Sequence, residues 1–262
     1  MPTRKTKGTS LHYTITGSGP ETLFFSHGLL FHAGMWEAQV AAFSGSYRCV
    51  TYDHRGQGQS GREGDRSMDT LAEDAIALME DLELGPVHFV GFSMGGFVAQ
   101  RVAARRPDLV RSLVLLDTSA EPEAKPMQYA LLNTAVKLFG VGPIKGRVLP
   151  ILFGRSTLED PAQAGMVAQW TTWLSALPKD ITAAVKGVIE RDSVEEEITA
   201  IACPTLVVVG EEDVATVPAK SQRIAALIPG AKLAFLRRCG HMSPLEDPEG
   251  VNAALTEFWN EL

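Results

Sequence analysis

The stretch PVHFVGFSMGGFVAQRVAARRP, Pro86 to Pro107, decides how the rest of the chain is read. It begins with Val87-His88-Phe89-Val90, a short apolar run rich in β-branched and aromatic residues, which predicts a buried strand. It ends with Phe97, Val98, Arg101, Val102 and Arg105, spaced like one stripe of a helix. Between them stands Gly91-Phe92-Ser93-Met94-Gly95, a G-x-S-x-G pattern. So sharp a turn from strand to helix needs glycines at its flanks, where the two backbones approach closely. The central residue is forced into a strained conformation, which costs ~1–3 kcal/mol and is tolerated mainly at functional sites. This geometry, the nucleophile elbow, holds a serine hydroxyl out at the carboxyl edge of a sheet with the first turn of a helix behind it. A serine that merely caps a helix fits the same five letters. What favours the elbow is context: a strand before it, a helix after it, and an Asp and a His further along.

Working outward, the 262 residues suffice for one large α/β domain with a modest insertion. A formal charge of −7 argues against nucleic acid or an anionic membrane as a partner. The N-terminal MPTRKTKGTS is polar and basic, without the apolar core of a signal peptide. No run approaches the ~20 apolar residues of a membrane span. Cys49, Cys203 and Cys239 are sparse and odd in number, and read as small buried hydrophobes in a reducing cytoplasm. They carry no metal-ligand spacing, and neither a metal nor a cofactor is expected.

In chain order, Ser10–Ile15 alternates polar and apolar and runs into Gly17-Ser18-Gly19-Pro20, predicting a hairpin-like edge strand and turn. Further strands are expected at 22–25, 47–52, 113–116, 205–209 and 232–236. Helices are expected around Met35–Phe43, after a capping Ser67, and at the C-terminus with Val251, Ala254, Leu255, Phe258 and Trp259. From Ser119 to about Glu197 strand-like runs stop, and helical stretches punctuated by Pro and Gly follow one another. Residues 1–118 and 198–262 therefore read as the core and 119–197 as an inserted helical cap. Alternating strands and helices imply a mostly parallel twisted sheet with helices on both faces, its ligands bound beyond the carboxyl ends of the strands.

Several motifs then fall into register: SHG at Ser26–Gly28, DHRGQGQS at Asp53–Ser60, GFSMGG at Gly91–Gly96, GEED at Gly210–Asp213 and GHMSPLEDP at Gly240–Pro248. In this order they resemble the α/β-hydrolase fold superfamily over nearly the whole chain, and among its capped members the 3-oxoadipate enol-lactonase and carboxylesterase-like group. A serine hydroxyl needs a base within reach. His241, in the loop after the last strand, is the candidate, since imidazole can accept a proton near neutral pH and return it to a leaving group. The base needs a carboxylate to fix its tautomer. Asp213 follows a strand and gives the chain order Ser, Asp, His expected of this fold. Its neighbours Glu211 and Glu212 compete for the role, and Asp117, just after the strand that follows the elbow helix, is a second rival; the resemblance favours Asp213. The backbone N–H groups of Met94 and Leu29 are the expected oxyanion donors. His27 reads as a residue that shapes its own loop. The glycines of Asp53–Ser60 lack the spacing and lysine of a phosphate loop and read as a salt-bridged turn.

Trp170 and Trp173 on the cap, with Leu30, Phe31, Phe92 and Phe139, are expected to form an apolar pocket that excludes water. Lys137, Lys145, Arg147 and Arg155 on the cap read as solvated surface, with recognition of a substrate carboxylate as the alternative. Ser93 at the elbow departs from the Asp that dehalogenases and epoxide hydrolases of this fold carry. His27-Gly28-Leu29-Leu30 lacks both the HGGGPG pattern of carbon–carbon cleaving members and the polar side chains of hydroxynitrile lyases. The resemblance thus implies a serine hydrolase acting on a small carboxylic ester or lactone. A cofactor-free perhydrolase and a triad-bearing ligand receptor remain alternatives.

Overall fold

The computed structural model describes residues 3–6 and 8–262. Met1, Pro2 and Lys7, part of the N-terminal stretch read above as polar and basic, lie outside the described residues.

Eight strands form one sheet: β1 (Thr3–Thr6), β2 (Thr9–Thr16), β3 (Thr22–Ser26), β4 (Arg48–Tyr52), β5 (Val87–Phe92), β6 (Val110–Leu116), β7 (Thr205–Gly210) and β8 (Lys232–Leu236). Their spatial order is β1-β2-β4-β3-β5-β6-β7-β8, with β3 to β8 mutually parallel. β5 and β7 are buried along their whole length, as strands covered on both faces must be. Side chains alternate between two clusters. Phe24, Val50, Phe89 and Val207 face one side, and Phe25, Cys49, Val90 and Val208 the other.

Core helices α1 (Glu37–Phe43), α2 (Met68–Asp81) and α3 (Met94–Arg105) follow β3, β4 and β5. Ser67 caps α2, its hydroxyl accepting from Thr70 N. Between β6 and β7 stand α4 (Pro126–Phe139), α5 (Lys145–Leu152), α6 (Arg155–Glu159), α7 (Ala164–Ser175), α8 (Thr182–Ile189) and α9 (Glu195–Ile198). After β7 come α10 (Pro218–Leu227), α11 (Ser243–Glu246) and α12 (Pro248–Asn260). Leu71 and Leu78 of α2, Val98 and Val102 of α3, and Ile224 of α10 pack on one face of the sheet. Phe43 of α1 with Val251, Leu255 and Phe258 of α12 covers the other.

Two expectations need correction. β2 is not the edge and forms no hairpin with β3. It pairs antiparallel with β1 on one side and with β4 on the other, and Gly17–Pro20 leads from β2 past β4 into β3. β1, of sequence TRKT, is polar and exposed where its side chains are described, so it carries no hydrophobic signal. No helix is long and apolar enough to cross a membrane among the described residues.

Candidate active site

The elbow is built as its glycines require. Ser93 has φ 50° and ψ −114°, a left-handed conformation costly for a residue with a Cβ. A Cβ on Gly95 would fall on the carbonyl of Ser26, so α3 could not then sit this close to β3. Ser93 N–H donates to Leu116 O at 2.9 Å and Ser93 O accepts from Thr118 Oγ1 at 2.8 Å, which fixes the strained residue from both sides.

Facing that hydroxyl is the loop after β8. His241 Nε2 lies 2.9 Å from Ser93 Oγ, and His241 Nδ1 lies 2.8 Å from Asp213 Oδ2. Asp213 Oδ1 accepts from the N–H groups of Ala215 and Thr216 at 2.8 and 2.9 Å, and Thr216 Oγ1 donates to Oδ2 at 2.7 Å. A carboxylate held by so many donors cannot swing away from the imidazole, so Nδ1 carries the proton and Nε2 is left to accept. Burial pushes the Asp213 carboxyl up, but the His241 charge and these hydrogen bonds outweigh it and hold it below the usual range. For His241, burial pulls the pKa down and the Asp213 charge raises it, with a net rise above 6.5.

The three consecutive acids separate cleanly. Glu211 is exposed, Glu212 accepts from Ser156 N at 2.8 Å and from its hydroxyl, and Asp213 faces the imidazole. Asp117, the rival, is buried and bonded to Ser243 Oγ and to Gly210 N. Burial, reinforced by the Asp213 charge, raises its pKa well above the ordinary value.

Leu29 follows β3, and its N–H donates to no group among the described residues; nor does that of Met94, the first residue of α3. The loop carrying Leu29 is held from below. His27 Nδ1–H donates to Gly28 O at 2.8 Å and its Nε2 accepts from His54 N at 2.9 Å. Burial lowers the pKa of His27 to about 4, so it is neutral near pH 7. Gln57 Oε1 accepts from Leu30 N at 2.7 Å while its amide nitrogen lies 3.5 Å from Met94 Sδ, joining this loop to the elbow helix. The rest of that turn is salt-bridged as read: Arg55 grips Asp74 through two bonds of 2.6 and 2.7 Å.

Beyond Ser93 opens a cavity of about 150 Å³, roofed by α4, α5 and α8. Leu29, Leu30, Phe92, Val136, Leu152 and Val188 give it an apolar wall, and Phe92 lies 5.2 Å from the His241 ring. Its polar members are Glu123, Tyr129, Asn133 and Arg191, besides Ser93, Thr216 and His241. Sequence reading had pointed to none of Thr216, Gln57, Glu123 or Arg191. For Thr216 the Asp-x-x-Thr spacing was a usable turn signal; for the cavity residues no local signal exists.

Other expected pocket residues lie elsewhere. Phe31 is buried against Trp170, ring centroids 5.0 Å apart, and neither lines the cavity. Trp173 also stands outside it, its Nε1–H donating to Leu30 O at 2.9 Å and its ring 4.3 Å from His32. The aromatic face of α7 therefore docks on the 29–32 loop, and α4, α5 and α8 do the roofing. Phe139 is 65% exposed, and Lys137, Lys145, Arg147 and Arg155 are all exposed and absent from the cavity wall. Among the described residues no group of three His, Cys, Asp or Glu side chains could hold a metal ion.

A serine on a strained strand-to-helix turn, bonded to a histidine that is bonded to an aspartate, on a sheet of this order, defines a class. Residues 23–254 match the sequence model of the alpha/beta hydrolase family, and the chain belongs to that family. A Mycobacterium tuberculosis protein named as a candidate non-heme bromoperoxidase is 30% identical, with 95% of this chain and 97% of that protein covered. The 3-oxoadipate enol-lactonase 2 of Acinetobacter baylyi is 28% identical, covering 94% and 91%. The crystal structure of the enol-lactonase from Burkholderia xenovorans LB400 superposes with a TM-score of 0.92 at 27% identity, covering 99% of this chain and 100% of that one.

Proposed function

We propose that this chain is a serine hydrolase that cleaves a small carboxylic ester or lactone through an acyl-enzyme. The observation that carries the reading is the unbroken hydrogen-bond chain Ser93 Oγ–His241–Asp213, with spacings of 2.9 and 2.8 Å. His241 Nε2 takes the serine proton as Oγ attacks the carbonyl carbon, and Asp213 stabilises the imidazolium that forms. The unpaired N–H groups of Leu29 and Met94 receive the oxyanion. The imidazolium returns its proton to the departing alkoxide, leaving the acyl group on Ser93. Water, deprotonated by the same His241, then attacks the ester carbonyl and releases the acid. In a lactone the alkoxide stays tethered to the acyl group, and the product is a hydroxy acid or, from an enol-lactone, a keto acid. The apolar cavity excludes bulk water from the charged intermediates. Residues 119–197 serve as the cap over this chemistry.

The name of the Mycobacterium relative favours a second reading at the same site, in which hydrogen peroxide replaces water in the deacylation and the product is a peracid. Peracid formation from an ester and hydrogen peroxide, assayed beside hydrolysis, separates the two.

Ser93→Ala is expected to abolish multiple turnover of p-nitrophenyl butyrate and to prevent labelling by an organophosphonate. A folded Ser93→Ala protein with unchanged turnover overturns the reading. A wild-type protein that binds the ester but stalls after one cycle overturns it in favour of a receptor.

A further inference from the structure

The relatives named as enol-lactonases raise the question of which chain enters the cavity, and the charges around it bear on the answer. One cation contributes to the wall, Arg191, and it is not free. Its Nη1 pairs with Glu123 at 3.1 Å and donates to Val188 O at 2.8 Å, and its Nε donates to Glu121 O at 3.1 Å. The guanidinium stacks on Phe97, 4.3 Å from the ring centroid. Its side chain is 2% exposed and that of Glu123 is 14% exposed, so little solvent screens the pair. The charges of the wall therefore cancel at that pair. Toward the reacting end lies the carboxylate of Asp213, held ionised behind His241, and it repels an anion. Burial raises the pKa of the Tyr129 hydroxyl on the same wall; the Glu123 and Asp213 charges add to the rise and the Arg191 charge opposes it.

We infer that the cavity beyond Ser93 takes an uncharged aliphatic chain of the substrate, and that Glu123 sets this specificity by neutralising Arg191. The inference rests on the proposed reaction at Ser93 and narrows it: a substrate with a carboxylate in this cavity would be desolvated with no free cation to meet it. The chain belongs to either the acyl or the alcohol half of the ester, and the two are separated by experiment.

The wild-type enzyme is assayed on two series: p-nitrophenyl acetate, butyrate and hexanoate, and ethyl, butyl and hexyl acetate. The half that occupies the cavity gains roughly four-fold in kcat/KM per methylene until the space is filled, from the transfer free energy of a methylene group. Within the responsive half, an ester carrying a terminal carboxylate is compared with its neutral counterpart of equal chain length. For the acyl half this pair is p-nitrophenyl hemiglutarate and p-nitrophenyl pentanoate. The charged ester is expected to be slower by about ten-fold or more, a lower bound for burying an unpaired charge. Glu123→Gln exposes the Arg191 charge to the cavity and is expected to close or reverse that ratio, a change that mere loosening of the fold would not produce. A charged ester that is hydrolysed as fast as the neutral one, or two series that are flat with chain length, overturns the inference while leaving the serine reaction intact. Absence of turnover on every ester, with no organophosphonate labelling, overturns both. The wild-type comparison decides the preference of the cavity even where Glu123→Gln fails to fold, and a folded Glu123→Gln with an unchanged ratio overturns the role given to Glu123.

Discussion

Of the buried carboxyl groups close to the proposed base, Asp213 and Asp117 are driven in opposite directions by their surroundings. Asp213, fed by backbone amides, Thr216 and His241, stays ionised, whereas Asp117 is pushed toward the neutral acid by burial and by the Asp213 charge. Asparagine in place of each separates the roles. Asp213→Asn is expected to lower kcat by about 10⁴-fold, because the amide favours the wrong tautomer of the imidazole. Asp117→Asn can still accept from Gly210 N–H and donate to Ser243 Oγ, so kcat/KM changes by less than about ten-fold, one hydrogen bond being worth ~1 kcal/mol. The pH profile follows with a definite sign. His241 must be neutral to accept a proton, and its pKa lies above 6.5, so kcat/KM falls as the pH drops through that raised value. In Asp213→Asn the largest influence that raises it is gone while burial remains, with only the weaker Asp117 and Glu246 charges still opposing it, so the acid limb of the residual activity shifts toward lower pH. A limb that stays in place across the two enzymes would assign the ionisation to another group.

At the scale of elements, α11 and the start of α6 are stitched to the histidine loop by one side chain. Glu246, 5% exposed, accepts from Gly240 N at 3.1 Å and Met242 N at 2.8 Å, the residues flanking His241. It also accepts from Gly154 N at 2.8 Å and from the Thr157 hydroxyl. Glu212 holds Ser156 in the same segment from beside Asp213. The approach is so close that a Cβ on Gly240 would overlap the backbone of Gly154. Glu246→Ala orphans three buried amides, and a loss of roughly 2–4 kcal/mol in urea unfolding is expected. Because two of those amides fix the imidazole, kcat should fall more than KM rises; an unperturbed kcat in the folded variant would reduce Glu246 to a purely structural residue. The same elements explain what could be read in advance. The β5–α3 turn was legible because strand, glycines and helical stripe are contiguous in sequence. The pairing of β2 with β4 was not, since register across a sheet depends on partners far along the chain. The tryptophans of α7 were visible as an apolar face, but which surface a helix presents to which neighbour is decided by packing. Glu246 stands within GHMSPLEDP, yet nothing local distinguishes a buried clamp from one more surface acid.

For the molecule as a whole, the question is whether the helical insertion between β6 and β7 is an independent body or part of one cooperative unit. One apolar cluster joins Phe25, Trp36 and Val90 from the core to Val136, Leu152, Trp170, Leu174, Ile181 and Ala184 from the insertion. Polar ties cross the same seam at Trp173 Nε1–Leu30 O (2.9 Å), Arg66 Nη1–Asp180 O (2.9 Å) and Arg62 Nη1–Asp180 Oδ1 (2.7 Å). The exposed Arg62 pair adds little, since such bridges contribute about 0–1 kcal/mol. The shared apolar cluster is what couples the two parts, because separating them exposes buried side chains on both sides at about 25 cal/mol per Å². The tryptophans report on both bodies, Trp36 and Trp259 from the core and Trp170 and Trp173 from the insertion. Far-UV dichroism and tryptophan fluorescence are therefore expected to trace a single coincident unfolding transition in urea. Two resolved transitions, with the tryptophan signal leading, would mean that the insertion opens on its own, and the cavity above Ser93 would then be a gated space instead of a fixed one.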